Sequence, residues 1–268
     1  MQNPEVIVNG HQGDQISSTD RGLIYGDGVF ETIAVKQGEI QYWDEHLERL
    51  EQGCDVLGIK TPDLSRLKNE TLQLIEAKKN CVIKIIVTRG VGGRGYKPEC
   101  TTATRIVQKF PWPELPDTFD QGVEVTQCEF RLARQNKLAQ IKHLNRLEQV
   151  LARSEWEDKF QEGLVCDTSD NVIEGTSCNV FFEQNDYLIT PDLTQCGVAG
   201  VMRKKIIEYC LANDIQLQIR DIHSSELKNM QGMMLCNSVI GIWPVDRYCG
   251  RKLNKTAIIQ RLSAAFNC

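Results

Sequence analysis

CVIKIIVTRGVGGRGYKPECTT, Cys81 to Thr102, is the stretch on which the fold turns. Its first half has the composition of a β-strand, with Val82, Ile83, Ile85, Ile86 and Val87 β-branched and a glycine soon after. Gly90, Gly92 and Gly95 then satisfy the G-x-G-x-x-G spacing that opens a dinucleotide-binding βαβ unit. That motif works only when a helix follows and offers its N-terminus to a pyrophosphate. Here Tyr96, Lys97, Pro98 and a pair of threonines follow, which is poor helix-starting sequence. The glycines read instead as a loop that presents Arg94, a forked donor suited to a carboxylate, and Tyr96, a hydroxyl. A solvated turn with an incidental arginine is the competing reading of the same residues.

On the N-terminal side, Val6–Asn9 and Val29–Val35 read as strands. Asp44–Leu57 places Leu47, Leu50, Cys54 and Leu57 at helical spacing and stops at Gly58. Asp63–Lys79 is expected to be a second helix with Leu64, Leu67, Leu72 and Ile75 inward. On the C-terminal side, Arg105–Gln108 is a short strand, and PWPELPD (Pro111–Asp117) packs three prolines into seven residues. Proline neither continues a helix nor donates to a central ladder, so the expected organisation is a small domain over 1–110, a linker at 111–117 and a larger domain over 118–268. The larger part reads as a strand at Gly122–Cys128, a helix at His143–Asp158 with Leu144, Leu147, Val150 and Leu151 as its apolar stripe, and strands at Leu164–Asp167, Cys178–Glu183 and Asp186–Thr190. A helix at Val201–Asn213, strands at Ile215–Arg220 and Met233–Ser238 and a C-terminal helix follow. The order is α+β in both halves, against a doubly wound sheet or a (β/α)8 barrel.

Composition narrows the function. In 268 residues, 41% are hydrophobic and 25% charged, which is ordinary globular usage and unlike a disordered chain. The net charge of −5 argues against nucleic acid or an anionic membrane as the main partner. No window approaches the roughly 18 apolar residues that cross a bilayer, and MQNPEVIVNG lacks the regions of a signal peptide, so a cytoplasmic protein is expected. The 11 cysteines include no C-x-x-C pair and sit mostly among apolar neighbours, so they read as reduced, buried thiols. His11, His46, His143 and His223 are scattered singly, and no metal site is expected.

Four further segments carry chemistry. Lys142 stands where an apolar run (Leu138, Ala139, Ile141) meets the expected helix, and desolvation there would make its amine a nucleophile. A snorkelling lysine at a helix start is the plainer alternative. Glu174, in VIEGTSCNVFF, heads toward an apolar core and so needs a partner, which could equally be an arginine or backbone amides. CGVAGVMRKK (Cys196–Lys205) runs a glycine loop into a helix, leaving N–H groups for an anion or simply making a tight turn. Asn237 and Ser238 end a buried strand, where an amide and a hydroxyl can also meet a phosphate or merely turn the chain.

Taken in order, DRGLIYGDGVFET (Asp20–Thr32), HLERL (His46–Leu50), VTRGVGGRGY (Val87–Tyr96), IKHLNRLEQV (Ile141–Val150), VIEGTSCNVFF (Val172–Phe182), GVAGVMRK (Gly197–Lys204) and CNSVIGIWPV (Cys236–Val245) resemble the fold type IV pyridoxal-phosphate enzymes. That family includes the branched-chain and D-amino-acid aminotransferases and the aminodeoxychorismate lyases, and the pairing of IKHLNRLEQV with GGRGY is most similar to the lyases. The resemblance implies a two-domain, D-amino-acid-aminotransferase-like α+β fold and pyridoxal 5'-phosphate as cofactor. It makes Lys142 the residue that carries the cofactor and acts as base, and Glu174 the partner of the pyridine nitrogen. Arg49 would hold the phosphate, with the N–H groups of Val201 and Met202 and with Ser238. Thr32 would supply a hydroxyl for protonating the leaving group. Arg94 and Tyr96 would bind a substrate carboxylate, and Tyr25 would line the pocket. A homodimer is implied, with the Arg94 loop reaching an active site at its interface. The implied reaction is release of 4-aminobenzoate and pyruvate from 4-amino-4-deoxychorismate, a step of folate biosynthesis. An aminotransferase on the same scaffold is the rival, weakened for the branched-chain type because Ala34 stands where an arginine is expected. A non-enzymatic relative would have no need of Lys142, Glu174 and Arg49 together.

Overall fold

The computed structural model describes residues 5–98, 102–114, 121–156 and 159–267. The chain forms two compact units, Met1–Pro113 with Ile141–Asn145, and Glu114–Gln140 with Arg146–Cys268. Both mix strands and helices, so the fold is α+β.

Unit 1 holds β1 (Glu5–Val8), β2 (His11–Gln12), α1 (Arg21–Tyr25), β3 (Gly28–Lys36), β4 (Glu39–Ile40), α2 (Trp43–Leu57), α3 (Leu64–Gln73), β5 (Cys81–Thr88) and β6 (Thr104–Pro111). Its six-stranded sheet runs β2-β1-β6-β5-β3-β4 and is antiparallel throughout. Side chains alternate along β3, so Val29, Ile33 and Val35 enter the core with Cys81, Ile83, Ile85 and Val87 of β5. Leu47, Leu50 and Cys54 of α2 and Leu67 of α3 complete that core. α2 can lie close to β3 because of Gly53, where a Cβ would stand 2.8 Å from Val29 Cγ1. Its first turn carries Asp44 and Glu45, and it stops at Gly58, whose φ of 63° suits glycine. α3 starts where Asp63 accepts from the N–H groups of Ser65 and Arg66, but it ends at Gln73, short of the expected Lys79. The expected inward Leu72 is exposed.

Unit 2 holds β7 (Val123–Leu132), α4 (Leu147–Arg153), β8 (Glu162–Asp167), β9 (Val172–Gly175), β10 (Asn179–Gln184), β11 (Tyr187–Pro191), α5 (Val201–Ala212), β12 (Leu217–Arg220), β13 (Gly232–Asn237), β14 (Gly241–Tyr248), β15 (Arg251–Lys252) and α6 (Ala257–Phe266). Its sheet runs β12-β11-β10-β13-β14-β7-β8-β9, with β15 paired to β14. The pairs β11–β12, β14–β7 and β7–β8 are parallel. Its core gathers Val180, Phe182, Ile189, Leu235 and Trp243 from the middle strands with Val123, Val125 and Leu164.

Two further sequence expectations need correction. The helix expected over His143–Asp158 is only the seven residues Leu147–Arg153, with Asp158 outside the described residues. Ile141–Leu144 is kept out of the helix because Phe30 N–H donates to Lys142 O at 2.9 Å and Leu144 N–H to Gly28 O at 2.9 Å. Bonds to β3 thus replace the first helical turn. The expected inward stripe is also reversed, since Leu147, Val150 and Leu151 are 75%, 60% and 52% exposed and Ala152 is the buried residue of α4. Of the expected linker, Pro111 closes β6, and 115–117 lies outside the described residues. No helix among the described residues is long and apolar enough to cross a membrane.

Candidate active site

In unit 1 the two faces of β3 divide the work. Glu31 points to the core side, where it is completely buried. Arg49 Nε donates to its Oε1 at 2.8 Å and Nη2 to Oε2 at 2.5 Å, a two-pronged grip from α2. His46, one helical turn earlier, meets Oε2 through Nδ1 at 2.6 Å. Burial works to raise the Glu31 pKa, but the charges and hydrogen bonds of Arg49 and His46 outweigh it and hold the group at about 2. An ionised carboxylate accepts only, so His46 Nδ1 carries the proton.

The opposite face of β3 is more open and carries Phe30 and Thr32. Thr32 pairs directly with Lys84 of β5. Lys142 Nζ lies 4.5 Å from the centre of the Phe30 ring and Lys84 Nζ lies 5.2 Å from it. A ring face attracts a cation, so Phe30 orients two ammonium groups beside one hydroxyl-bearing strand. Burial lowers the pKa of Lys84. The sequence does not single out Lys84, although the alternation of CVIKIIV places it opposite the core face.

Arg94 and Tyr96 are both exposed on the loop after β5, Tyr96 to 87%. Tyr25 OH accepts from Gly95 N–H at 3.0 Å, and its ring lies 5.6 Å from that of Tyr96.

In unit 2, Glu174 lies inside β9 and is 5% exposed. Its Oε2 accepts from Val198 N–H at 2.9 Å, which ties it to the glycine loop before α5. That loop is held again where Gln140 N–H donates to Gly197 O and Ala199 N–H to Gln140 O. α5 starts at Val201 behind Gly200, an extended N-cap with no side-chain hydrogen bond. The N–H groups of Val201 and Met202 fall in the first turn, where a helix has no internal acceptors and an anion is the natural occupant. Asn179 secures this start by donating to Val198 O at 2.9 Å. A Cβ on Gly200 would stand 2.0 Å from Asn179 Oδ1.

Asn237 ends β13 and donates to Ser177 O, placing Ser238 just beyond the strand. Buried Glu162 holds the turn after Glu174, accepting from Thr176 N–H at 2.9 Å, Ser177 N–H at 3.1 Å, Ser177 Oγ at 2.7 Å and Thr176 Oγ1. Neither Glu162 nor Asn179 is marked by the sequence beyond lying near Glu174. Burial lowers the pKa of Arg146, opposed by the charges of Glu174 and Glu148.

Among the described residues no group of three or more His, Cys, Asp or Glu could hold a metal ion. Eight described cysteines are buried and Cys249 is exposed. Burial pushes Cys128, Cys196 and Cys236 up to about 12, so these thiols stay protonated.

Residues 28–248 match the family described as Amino-transferase class IV. The chain is 35% identical over 242 residues to the aminodeoxychorismate lyase of Vibrio harveyi, covering 89% of each. It superposes on the crystal structure of 4-amino-4-deoxychorismate lyase from Pseudomonas aeruginosa with a TM-score of 0.91 and 41% identity, covering 97% of each chain. It shares its fold with a branched-chain aminotransferase from Thermoproteus uzoniensis, at a TM-score of 0.88 and 21% identity over 98% of this chain and 93% of that one.

Proposed function

Because the chain belongs to the class IV aminotransferase family, we propose that it is a pyridoxal-phosphate-dependent lyase that converts 4-amino-4-deoxychorismate to 4-aminobenzoate and pyruvate in folate biosynthesis. The observation that carries the reading is the open face of β3, with the Lys142 ammonium over Phe30, Thr32 alongside and Lys84 opposite, in a chain 41% identical to a lyase of known structure. The residues fit the cofactor. Lys142 is a lysine on an aromatic ring, Glu174 is a buried carboxylate, and the α5 start has no side-chain cap to compete with an anion. Arg49 arrives already oriented by Glu31.

When bound, pyridoxal phosphate supplies the electron sink for the bond that breaks. Lys142 would carry it, and its Nζ would be the general base for the proton at C4 of the substrate. Glu174 keeps the pyridine nitrogen protonated. Arg49, the N–H groups of Val201 and Met202, and Ser238 hold the phosphate. Thr32 would relay the proton held on Lys142 Nζ to the methylene carbon of the departing enolpyruvyl group, which leaves as pyruvate while the ring becomes aromatic. Lys84, Arg94 and Tyr96 receive the carboxylates. The protein works in the cytoplasm as a homodimer, and the exposed apolar face of Leu147, Val150 and Leu151 on α4 supports the association.

Three measurements test these roles. Borohydride reduction of the holoprotein should fix the phosphopyridoxyl mass on the peptide bearing Lys142, and labelling of another lysine would refute that role. Thr32→Val should keep cofactor absorbance and affinity while kcat for 4-aminobenzoate release falls about 10²-fold, the scale of one proton-transfer group; an unchanged kcat removes Thr32 from the reaction. Gly200→Ala should weaken pyridoxal-phosphate binding by about tenfold, roughly one charge-assisted hydrogen bond, because the new Cβ displaces the start of α5. Equilibrium dialysis reads that affinity, and wild-type affinity would show that the helix start does not hold the phosphate.

Activity assays separate the rival function. With D-alanine and 2-oxoglutarate the holoprotein should form glutamate far more slowly than it forms 4-aminobenzoate from aminodeoxychorismate. Fast glutamate formation without 4-aminobenzoate would select the aminotransferase.

A further inference from the structure

The loop after β5 has no regular structure to hold it, yet it carries Arg94 and Tyr96 into solvent. What fixes it is Arg21, the first residue of α1, which is 4% exposed. Arg21 Nη1 donates to Gly95 O at 2.9 Å and Nη2 to Tyr96 O at 3.4 Å. Its backbone N–H donates to Gly90 O at 2.9 Å, so the same residue grips both ends of the loop. Between these points the loop presses on the arginine stem, because a Cβ on Gly92 would stand 2.9 Å from Arg21 Cδ. Gly92 N–H donates to Thr19 O at 3.2 Å. Tyr25, at the other end of α1, adds its hydroxyl to Gly95 N–H and its ring lies 4.7 Å from the Arg21 guanidinium.

Arg21 is itself locked. Its Nε donates to Asp27 Oδ2 at 2.9 Å. Asp27 also takes Nε of Arg89 at 2.7 Å and Nη2 at 3.0 Å. Arg89 then reaches Leu57 O at 2.6 Å and Gly58 O at 2.7 Å, the C-terminal end of α2. One carboxylate therefore anchors two guanidiniums, one gripping the loop and the other the helix that carries Arg49. A turn needs none of this to exist. Two largely buried guanidiniums on one carboxylate fix the placement of the loop relative to the end of α2. The peptide planes on the C-terminal side of Arg94 are pinned, as are those at Gly90 and Gly92, while the Arg94 side chain is left to project.

We propose that Arg21 is a positioning residue that holds the Gly90–Tyr96 loop in the shape in which Arg94 and Tyr96 receive a substrate carboxylate. The identity of that substrate rests on the lyase reading; the clamp on the loop does not. The guanidinium is required as a fork, since it serves Asp27 and two carbonyls at once, which a lysine ammonium cannot do from one point.

The test uses the holoprotein and the variants Arg21→Met, Arg21→Lys and Tyr25→Phe. Limited trypsin digestion reads the loop directly, because Arg94–Gly95 is a cleavable bond within it. Both Arg21 variants should be cut there about tenfold faster than wild type or more, as expected for a segment released to local opening. With aminodeoxychorismate, KM should rise about tenfold while kcat stays within about threefold, the pattern of lost substrate positioning. Cofactor absorbance and affinity should not change. Tyr25→Phe, which removes only the hydroxyl, should accelerate the same cleavage by a smaller factor and decides the matter if the Arg21 variants do not fold. Unchanged cleavage after Arg94 would overturn the clamp. So would wild-type behaviour of Arg21→Lys, which would show that charge alone suffices, or a parallel loss of kcat, cofactor and thermal stability, which would show a merely structural residue. If wild type releases no 4-aminobenzoate, the lyase reading fails, and the digestion still decides whether Arg21 holds the loop.

Discussion

Lys142→Ala should release essentially no 4-aminobenzoate, with turnover at least about 10⁴-fold below wild type, because one side chain is asked to carry the cofactor and to move the C4 proton. The variant should still fold. Its segment is held to β3 by backbone bonds at Lys142 O and Leu144 N–H, which the substitution leaves intact. Lys142→Arg should be equally inactive, since a guanidinium stays protonated and cannot act as base. Adding a small primary amine such as methylamine should restore a measurable fraction of the activity of the Ala variant, which loss of fold would not permit. Activity above about 1% of wild type in Lys142→Ala would remove the residue from the centre of the account.

The second large effect concerns stability. Glu31→Gln removes the charge that compensates Arg49 in a site where Glu31 is fully buried. Breaking a buried pair by removing one partner leaves the other charge stranded, at a cost of about 3 kcal/mol. Urea unfolding should show that loss as a lower midpoint at unchanged slope. The double variant Glu31→Gln with Arg49→Met should be less destabilised than the sum of the two single changes, because it strands no cation. Strict additivity would contradict the pairing. The pH dependence has a definite sign. The Glu31 pKa is depressed from 4.5 to about 2, so its contribution is complete above the unfolded value and is lost as pH falls through that window. Wild type should therefore lose about 3 kcal/mol between those limits from this group, and Glu31→Gln should lack that part of the acid sensitivity.

Local order is legible in the sequence where a local cause produces it. Gly58 stops α2, Asp63 starts α3 and the glycine loop before Val201 opens α5, all from neighbouring residues. The non-helical state of Lys142 is not legible. HLNRLEQV has helical spacing, but Ile141–Leu144 bonds to Gly28 and Phe30, far away in sequence, and nothing in the segment announces that partner. The stripe of Leu147, Val150 and Leu151 misleads for a related reason, since periodicity reports that one face is apolar and not what covers it. Glu31 and Lys84 are intermediate cases. Strand alternation puts Glu31 among Val29, Ile33 and Val35, and Lys84 opposite the face of Ile83 and Ile85. A carboxylate facing a core, with a His and an Arg on one face of HLERL, is a readable sign of a buried ion cluster. The resemblance supplies Arg49 without the carboxylate that orients it.

The cysteines, prominent by number, serve as small buried side chains among the described residues other than Cys249, and desolvation keeps thiols such as Cys128 and Cys236 protonated.

Product stoichiometry tests the central claim most directly. Purified holoprotein incubated with 4-amino-4-deoxychorismate should release 4-aminobenzoate, followed by its fluorescence, and pyruvate, followed by reduction to lactate, in equal amounts until the substrate is consumed. Substrate consumption with glutamate or pyridoxamine phosphate accumulating and no 4-aminobenzoate formed would contradict it.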